Sequence, residues 1–279
     1  MAGSFGIDEI GLWTEVKLDI LKRYATAYSQ ILSKQKNLTH VYIDAFAGAG
    51  IHFSKTSKEM VPGSPLNALL VEPPFKEHYL IDLNGDRVEG LRLLAGGRKD
   101  VHLFHGDCNE ILLKEVFPKV RFQDFRRGLC LLDPYKMTLD WKVIAEAGSM
   151  QSLDIFVNFP IMTINRNVLR HDRSSVTEAN LASMNACWGD ESWKDIAYAK
   201  SRNLNLFDDE DTEKVSNQQF AEAFRQRLKK VAGFRNVPEP LAMRNSTSAI
   251  VYYLFFASQK DTAEHVVSYI FKKFGEQRM

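Results

Sequence analysis

The residues able to do chemistry in this chain sit at the ends of apolar runs. Val41-Tyr-Ile-Asp44 leads into Ala45-Phe46-Ala47-Gly48-Ala49-Gly50, an acid followed by two glycines one residue apart. A backbone that turns sharply and lets a ligand touch it cannot carry Cβ atoms at the contact points. Glu77 to Asp82, Val101 to Asp107 and Gly128 to Asp133 are further apolar runs that each end in an acid. Read as strands, they place Asp44, Asp82, Asp107 and Asp133 along one sheet edge, where open α/β sheets bind their ligands. Asp82, at the end of the second strand, is then positioned to accept hydrogen bonds from ribose hydroxyls. Cys108 follows Asp107 and is a candidate for the same pocket. Each acid alone also reads as an ordinary helix N-cap; four in register point to a ligand. Asn158-Phe159-Pro160 leaves a fifth run, Leu153 to Phe159, at the same edge, and Asn165 and Arg166 follow, with Arg170, His171 and Arg173 further on. This basic patch suits phosphate; a solvated helix face is the alternative.

Helices must hold these strand ends in place. Trp13 to about Lys34 has apolar residues at helical spacing and precedes the first strand. Ile51 to Val61 is polar and reads as a loop. Pro62-Gly63-Ser64-Pro65 opens a helix, with Ser64 as its cap and Pro65 in its first turn. Asn84 to Leu94 ends at Gly96-Gly97, Asn109 to Phe117 ends at Pro118, and Leu139 to Ala147 ends at Gly148. This alternation predicts a parallel sheet with right-handed crossovers. Beyond Pro160, residues 161 to 235 read as helical and polar, without a strand. Within them Asp208 to Glu213 is an acidic run, read as solvated, and Phe224 to Lys230 reads as an exposed helix face. Val237 to Met243 and Ala249 to Ala257 read as two strands, and Asp261 to Phe274 as the last helix. Arg121 to Arg127 interleaves Arg with Phe, but it precedes the fourth strand and so falls at the opposite end of the sheet from the crevice.

The chain has 279 residues, 45% hydrophobic and 25% charged, with a formal net charge of +1. This is the composition of a soluble globular domain, so a nucleic-acid ligand would need a local basic patch. No run is long and apolar enough for a transmembrane helix, and the N-terminus lacks the pattern of a signal peptide. Cys108, Cys130 and Cys187 are widely spaced and odd in number, which fits neither a disulfide framework nor a zinc site and points to a reducing cytoplasm. The histidines are scattered, and the sequence has no H-E-x-x-H, G-x-S-x-G or G-x-x-x-x-G-K pattern, which argues against a zinc protease, an α/β-hydrolase and a P-loop NTPase. No metal and no membrane partner is expected.

The form Asp44-x-Phe46-x-Gly48-x-Gly50 lacks the third glycine of the dinucleotide fingerprint, which counts against a nucleotide-binding oxidoreductase. It resembles motif I of class I S-adenosylmethionine-dependent methyltransferases. Asp133-Pro134-Tyr135 resembles the D-P-P-Y motif of amino-group methyltransferases acting on adenine or cytosine, with one proline fewer. Together with Trp13…Lys17-Leu18…Ile20-Leu21…Tyr24, Gly63-Ser64-Pro65, Leu132 and Phe159-Pro160…Asn165-Arg166, these blocks look like the three-Cys-motif partner family, which is bacterial and phage-associated; Lys136 stands where that family's motif has glycine. The resemblance covers most of residues 13 to 170. It implies one Rossmann-like class I methyltransferase domain over 1–279, with a helical insertion around 161–235. The sheet would be mostly parallel and seven-stranded, with helices on both faces and a C-terminal antiparallel hairpin. It also implies S-adenosylmethionine bound by Asp44, Phe46, Gly48, Gly50, Asp82, Asp107 and Cys108. By the D-P-P-Y resemblance catalysis would fall to Asp133, Pro134 and Tyr135; Asn158, Pro160, Asn165 and Arg166, read from their place at the sheet edge, are the candidates for nucleic-acid contact. The alternative it leaves open is a non-catalytic subunit serving a three-cysteine protein of radical-S-adenosylmethionine type.

Overall fold

The computed structural model describes residues 7–170, 173–200, 212–245 and 247–276. After the short strand β1 (Asp8–Ile10), helix α1 (Leu12–Leu32) delivers the chain to β2 (Thr39–Asp44), an interior strand of the main sheet. The glycine turn follows, then β3 (Ile51–Ser54), β4 (Met60–Pro62) and α2 (Ser64–Leu69). The alternation continues through β5 (Glu77–Asp82), α3 (Gly85–Ala95), β6 (Val101–His105), α4 (Cys108–Ile111), β7 (Arg126–Leu132), α5 (Trp141–Met150) and β8 (Leu153–Phe159). Helices α6 (Ile161–Asn167), α7 (Glu178–Trp188) and α8 (Trp193–Ala197) come next, then strands β9 (Tyr198–Lys200) and β10 (Thr212–Lys214), and helix α9 (Asn217–Lys230). Strands β11 (Leu241–Arg244) and β12 (Ile250–Ala257) and helix α10 (Asp261–Glu276) close the chain.

The main sheet has seven strands in the order β11-β12-β8-β7-β2-β5-β6. Strands β6, β5, β2, β7 and β8 run parallel, while β12 is antiparallel to β8 and β11 is antiparallel to β12. From β2 the chain winds outward to β6 and then returns to the other side of β2 through β7. The strand order therefore reverses between β2 and β7, and the crevice of such a sheet opens at that switch point.

Both faces of the sheet are buried because the strands alternate without a polar side. Tyr42, Leu80, Leu129, Leu131, Phe156 and Phe256 pack under α1, α3 and α10. Ile43, Ile81, Cys130, Leu132, Val157 and Phe255 face α5, α7 and α9 on the other side. There Phe159 stacks on Phe224 at 4.3 Å and Trp188 on Phe220 at 5.1 Å.

Several sequence expectations are corrected. Residues 51–62 are not a loop: β3 and β4 form a hairpin on which β1 lies parallel, with the polar residues Lys55 to Glu59 confined to the turn between the two mostly apolar strands. Residues 161–235 do contain strand, the β9–β10 ladder, and of the acidic run only Thr212 and Glu213 fall in the described backbone. Phe224 to Lys230 is not an exposed face. Phe224 and Leu228 are buried, and Arg227 reaches Trp188 O at 2.6 Å and lies 4.7 Å over the Trp141 ring. The helix expected over Asn109 to Phe117 is a single α turn followed by π and 3₁₀ turns, and Pro118 sits within the last of these.

Candidate functional site

The site is built where β2, β5 and β7 end. Asp44 is fully buried, and its carboxylate accepts from the Tyr42 hydroxyl at 3.1 Å and the Phe46 N–H at 3.2 Å. Ser64 also hydrogen-bonds Asp44. The expectation that Ser64 caps α2 is thus corrected: Gly63 holds the cap position, and the hydroxyl turns toward the buried acid. Burial pushes the Asp44 carboxyl up to about 6. The hydrogen bonds from Ser64, Phe46 and Tyr42 pull it down, and the neighbouring Asp133 pushes it up.

The two glycines have different duties. Gly48 has φ +64°, and a Cβ there would meet only His52 Cε1, at 3.9 Å. The space above Gly48 is open, as a cradle for a ligand requires. Gly50 has φ +80°, and its Cβ would lie 2.7 Å from Leu94 Cδ1 and 3.1 Å from Leu91 Cδ2. That glycine lets α3 approach. Asp82 clamps the turn: one of its oxygens accepts from Gly48 N–H and the other from Asn84 N–H, both at 2.8 Å. Asp82 therefore has a structural task in the turn, whatever else it binds. It holds the turn first and keeps further lone pairs for a ligand.

Asp107 is exposed at the end of β6 and caps α4 through the Asn109 N–H at 2.7 Å. Cys108 is buried. Burial and the nearby Asp107 and Asp140 raise its thiol to about 12, so it remains protonated.

Asp133 follows β7 across the switch point. Its Oδ2 accepts from the Nζ of Lys17, a lysine on α1 that is itself only 7% exposed. The Lys17 ammonium also lies 5.3 Å from the centre of the Tyr252 ring on β12. Burial opposes the charge on Lys17, but Asp133, Tyr252 and Asp44 outweigh it and raise its pKa. Burial raises Tyr252 to about 12, against the pull of Lys17. Lys17 is a site residue that motif reading missed. The signal for it was a lysine inside the apolar stripe of α1, in line with Leu21, Tyr24 and Tyr28 at helical spacing.

Around Asp133 the loop is pinned from two sides. Asn109 donates to Thr138 O at 2.9 Å and accepts from Asp140 N–H at 2.8 Å. Asn158 on β8 approaches the carbonyl of the buried Pro134 at 3.4 Å, and its own Oδ1 is buried without a partner. Tyr135 is 92% exposed and stands off the surface beside the acid. His52, also missed by sequence reading, lines the turn, and its buried Nδ1 has no partner. Burial lowers its pKa; Lys17 and Arg87 act in the same direction, opposed by Asp8 and Asp133.

Asn165 and Arg166 stand apart from this group. Asn165 bonds Asn217 of α9 at 2.8 Å, and Arg166 is exposed on α6. Pro160 is buried at the start of α6, and Arg170 folds back onto Arg166 O at 2.7 Å. His171 and the side chain of Arg173 lie outside the described residues. Among the described residues, no group of three or more side chains assembles a metal site, and no helix is long and apolar enough to cross a membrane.

No protein-family model and no curated protein sequence matches this chain. Among solved structures, protein LPL1258 from Legionella pneumophila superposes with a TM-score of 0.51 at 13% identity, over 92% of this chain and 91% of that one. M. jannaschii TYW2, solved in complex with AdoMet, superposes at 0.40 with 11% identity, over 88% and 76%. The METTL16 MTase domain superposes at 0.41 with 9% identity, over 85% and 67%. The strand order, the switch point and the terminal antiparallel hairpin are those of the Rossmann-like class I methyltransferase fold.

Proposed function

We propose that this protein is an S-adenosylmethionine-dependent methyltransferase, acting on an exocyclic amino group of a base in nucleic acid. The observation that carries the reading is the meeting of Asp133, Pro134 O and the exposed Tyr135 with the open glycine turn at one switch point. The turn suits the cofactor, since a Cβ at Gly48 would project into space that no protein atom fills. Gly48, Asp82 and Asp107 would hold it, with Asp44 and Phe46 shaping the turn beneath and Cys108 lining the floor as a neutral thiol. When bound, the cofactor supplies a methyl group already activated on a sulfonium, so no strong base is needed.

The chain's own task is positioning. The carboxylate of Asp133 and the carbonyl of Pro134 are acceptors for the two hydrogens of an amine, and Tyr135 offers a face on which an extruded base can stack. Lys17 occupies Oδ2 of Asp133, which leaves Oδ1 for the acceptor amine. Asn158 steadies the Pro134 carbonyl, while Asn165 and Arg166, apart from this group on α6, would contact the nucleic-acid strand further from the reacting base.

The same lysine favours a second reading. An acid already neutralised by a buried ammonium has less to offer a substrate, and Lys136 stands in the loop where the three-Cys-motif partner family has glycine. In that reading the chain is a bacterial or phage scaffold subunit for a three-cysteine protein. Both readings place the protein in the cytoplasm, in keeping with its buried, unpaired cysteines.

The test is calorimetry with S-adenosylmethionine and S-adenosylhomocysteine, followed by tritium transfer to DNA, RNA and a bacterial lysate. The methyltransferase reading expects Asp133→Ala to keep cofactor affinity and lose transfer. It expects Tyr135→Ala to raise KM by the loss of stacking, on the order of 1–3 kcal/mol. Tight cofactor binding without transfer by the parent to any acceptor would favour the scaffold. Failure to bind either cofactor form would overturn the first reading.

A further inference from the structure

A second cavity lies at the opposite edge of the sheet, where β7 and β8 begin and the antiparallel β12 ends. Its volume is about 300 Å³, and α1 and α10 wall it with Tyr24, Tyr28, Leu32 and Val266. This is the lower end of the size range for small-molecule sites. The strand edge contributes Arg127 and Asp154, and Lys260 stands at the mouth.

Two groups in the cavity wall keep hydrogen-bonding capacity to spare. The first is Arg127, a half-buried guanidinium. Its Nη1 donates to two carbonyl oxygens, Phe122 O at 3.2 Å and Arg126 O at 2.7 Å, and its plane lies 3.8 Å from the centre of the Phe122 ring. Among the described residues no carboxylate forms an ion pair with Arg127 or with Lys260. The second is Tyr28, 7% exposed as a residue, which lines the cavity within electrostatic range of both Asp154 and Arg127 and makes no side-chain hydrogen bond among the described residues. Asp154 also lines the cavity, within electrostatic range of Lys260 and Tyr28, but its oxygens are taken by the hydroxyls of Tyr24, at 2.8 Å, and Ser258, so the anion must sit on the Arg127 side of it. The first turn of α10 puts Thr262 and Ala263 in the cavity wall, but its own Asp261 and Glu264 offset the helix dipole there, so the attraction for an anion rests on Arg127 and Lys260.

We propose that this cavity is a second ligand site, built for a small organic anion with an apolar or aromatic body. Its carboxylate or sulfonate group meets Arg127 and Lys260 and accepts from the Tyr28 hydroxyl. The body lies against Tyr24, Leu32 and Val266. The site is separate from the switch-point crevice: Lys17 and Tyr28 are eleven residues apart on α1, roughly 16 Å at 1.5 Å per residue.

The probe is anilinonaphthalene sulfonate, titrated into the intact protein by fluorescence beside its uncharged relative phenylnaphthylamine. The expected result is one sulfonate probe per chain, bound about tenfold more tightly than the neutral one, as a charge-assisted contact requires. Arg127→Gln should weaken the sulfonate about tenfold. Tyr28→Phe, which removes only an unpartnered hydroxyl, should weaken it about threefold with an unchanged near-ultraviolet circular dichroism spectrum. Saturating S-adenosylhomocysteine should leave the titration unaltered. The proposal is overturned if the parent binds no probe, if the neutral probe binds as tightly, if Tyr28→Phe binds like the parent, or if S-adenosylhomocysteine displaces the sulfonate. Should Arg127→Gln fail to fold, Tyr28→Phe and the neutral probe decide alone.

Discussion

The pairing of Lys17 with Asp133 is the residue-scale feature with the clearest energetic consequence. One ammonium serves two carboxylates, Asp133 directly and Asp44 at longer range. Removing one member of a buried pair leaves the other charge unmatched, and that costs more than the pair contributes. Lys17→Met keeps the volume and removes the charge. Because the Asp133 side chain is 22% exposed, water softens the loss, and we expect destabilisation of about 1–3 kcal/mol rather than the larger figure for full burial. The double variant Lys17→Met/Asp133→Asn should recover roughly half of that loss in a double-mutant cycle. Urea unfolding of the four proteins measures it; strictly additive losses would show that the two side chains do not interact energetically.

At the scale of elements, the glycine turn shows how one motif serves two structures. Gly48→Ala meets no protein atom closer than ordinary contact, so its stability cost is the left-handed backbone alone, about 1–2 kcal/mol. Its larger effect should be weaker binding of S-adenosylhomocysteine. Gly50→Ala adds a collision with Leu91 and Leu94 to the same backbone cost. It should lose more stability than Gly48→Ala and displace α3. Thermal melts and calorimetry on both variants check the contrast. A Gly48→Ala protein that binds with parental affinity would place the ligand elsewhere. The loop after Asp133 depends on a partner from another element, since Asn109 spans Thr138 and Asp140. Asn109→Ala should lower methyl transfer with little change in cofactor affinity, read from kcat against Kd.

For the whole molecule, buried acids set the dependence of stability on pH. Asp154 is held at the sheet edge by Tyr24 and Ser258, yet burial raises its carboxyl from an ordinary 3.8 to about 6. A raised carboxyl binds its proton more tightly in the folded state. Its stabilising contribution is therefore full below the unfolded value and is lost as pH rises through about 6. Asp154→Asn removes this dependence. Relative to the parent, the variant should gain about 2–3 kcal/mol between roughly pH 4 and pH 8, the energy of a shift of this size. Urea midpoints across that range test it. His40, lowered to about 4 by burial with Lys76 and His78 acting in the same direction, contributes with the opposite sign. It is common to both proteins and cancels in the difference.

The sequence by itself determined the order of the strands' chemistry. Apolar runs ending in Asp44, Asp82, Asp107 and Asp133, the Gly48–Gly50 turn and the final pair of strands were all legible, because strand burial and sharp turns are local demands on residue type. The seven-stranded sheet follows from them. What the tertiary structure alone decided is which groups meet. Ser64 looked like a helix cap until the fold brought it to Asp44, and Asp82 looked free until the turn placed Gly48 N–H on it. Residues 51–62 became strands because β3 and β4 pair with each other and β1, from before α1, extends that ladder. Lys17 lies 116 positions from Asp133, and no periodicity in a single chain reports a contact across that separation. Such pairings depend on the crossing of α1 over the sheet, which is set by the packing of whole faces rather than by any local run of residues.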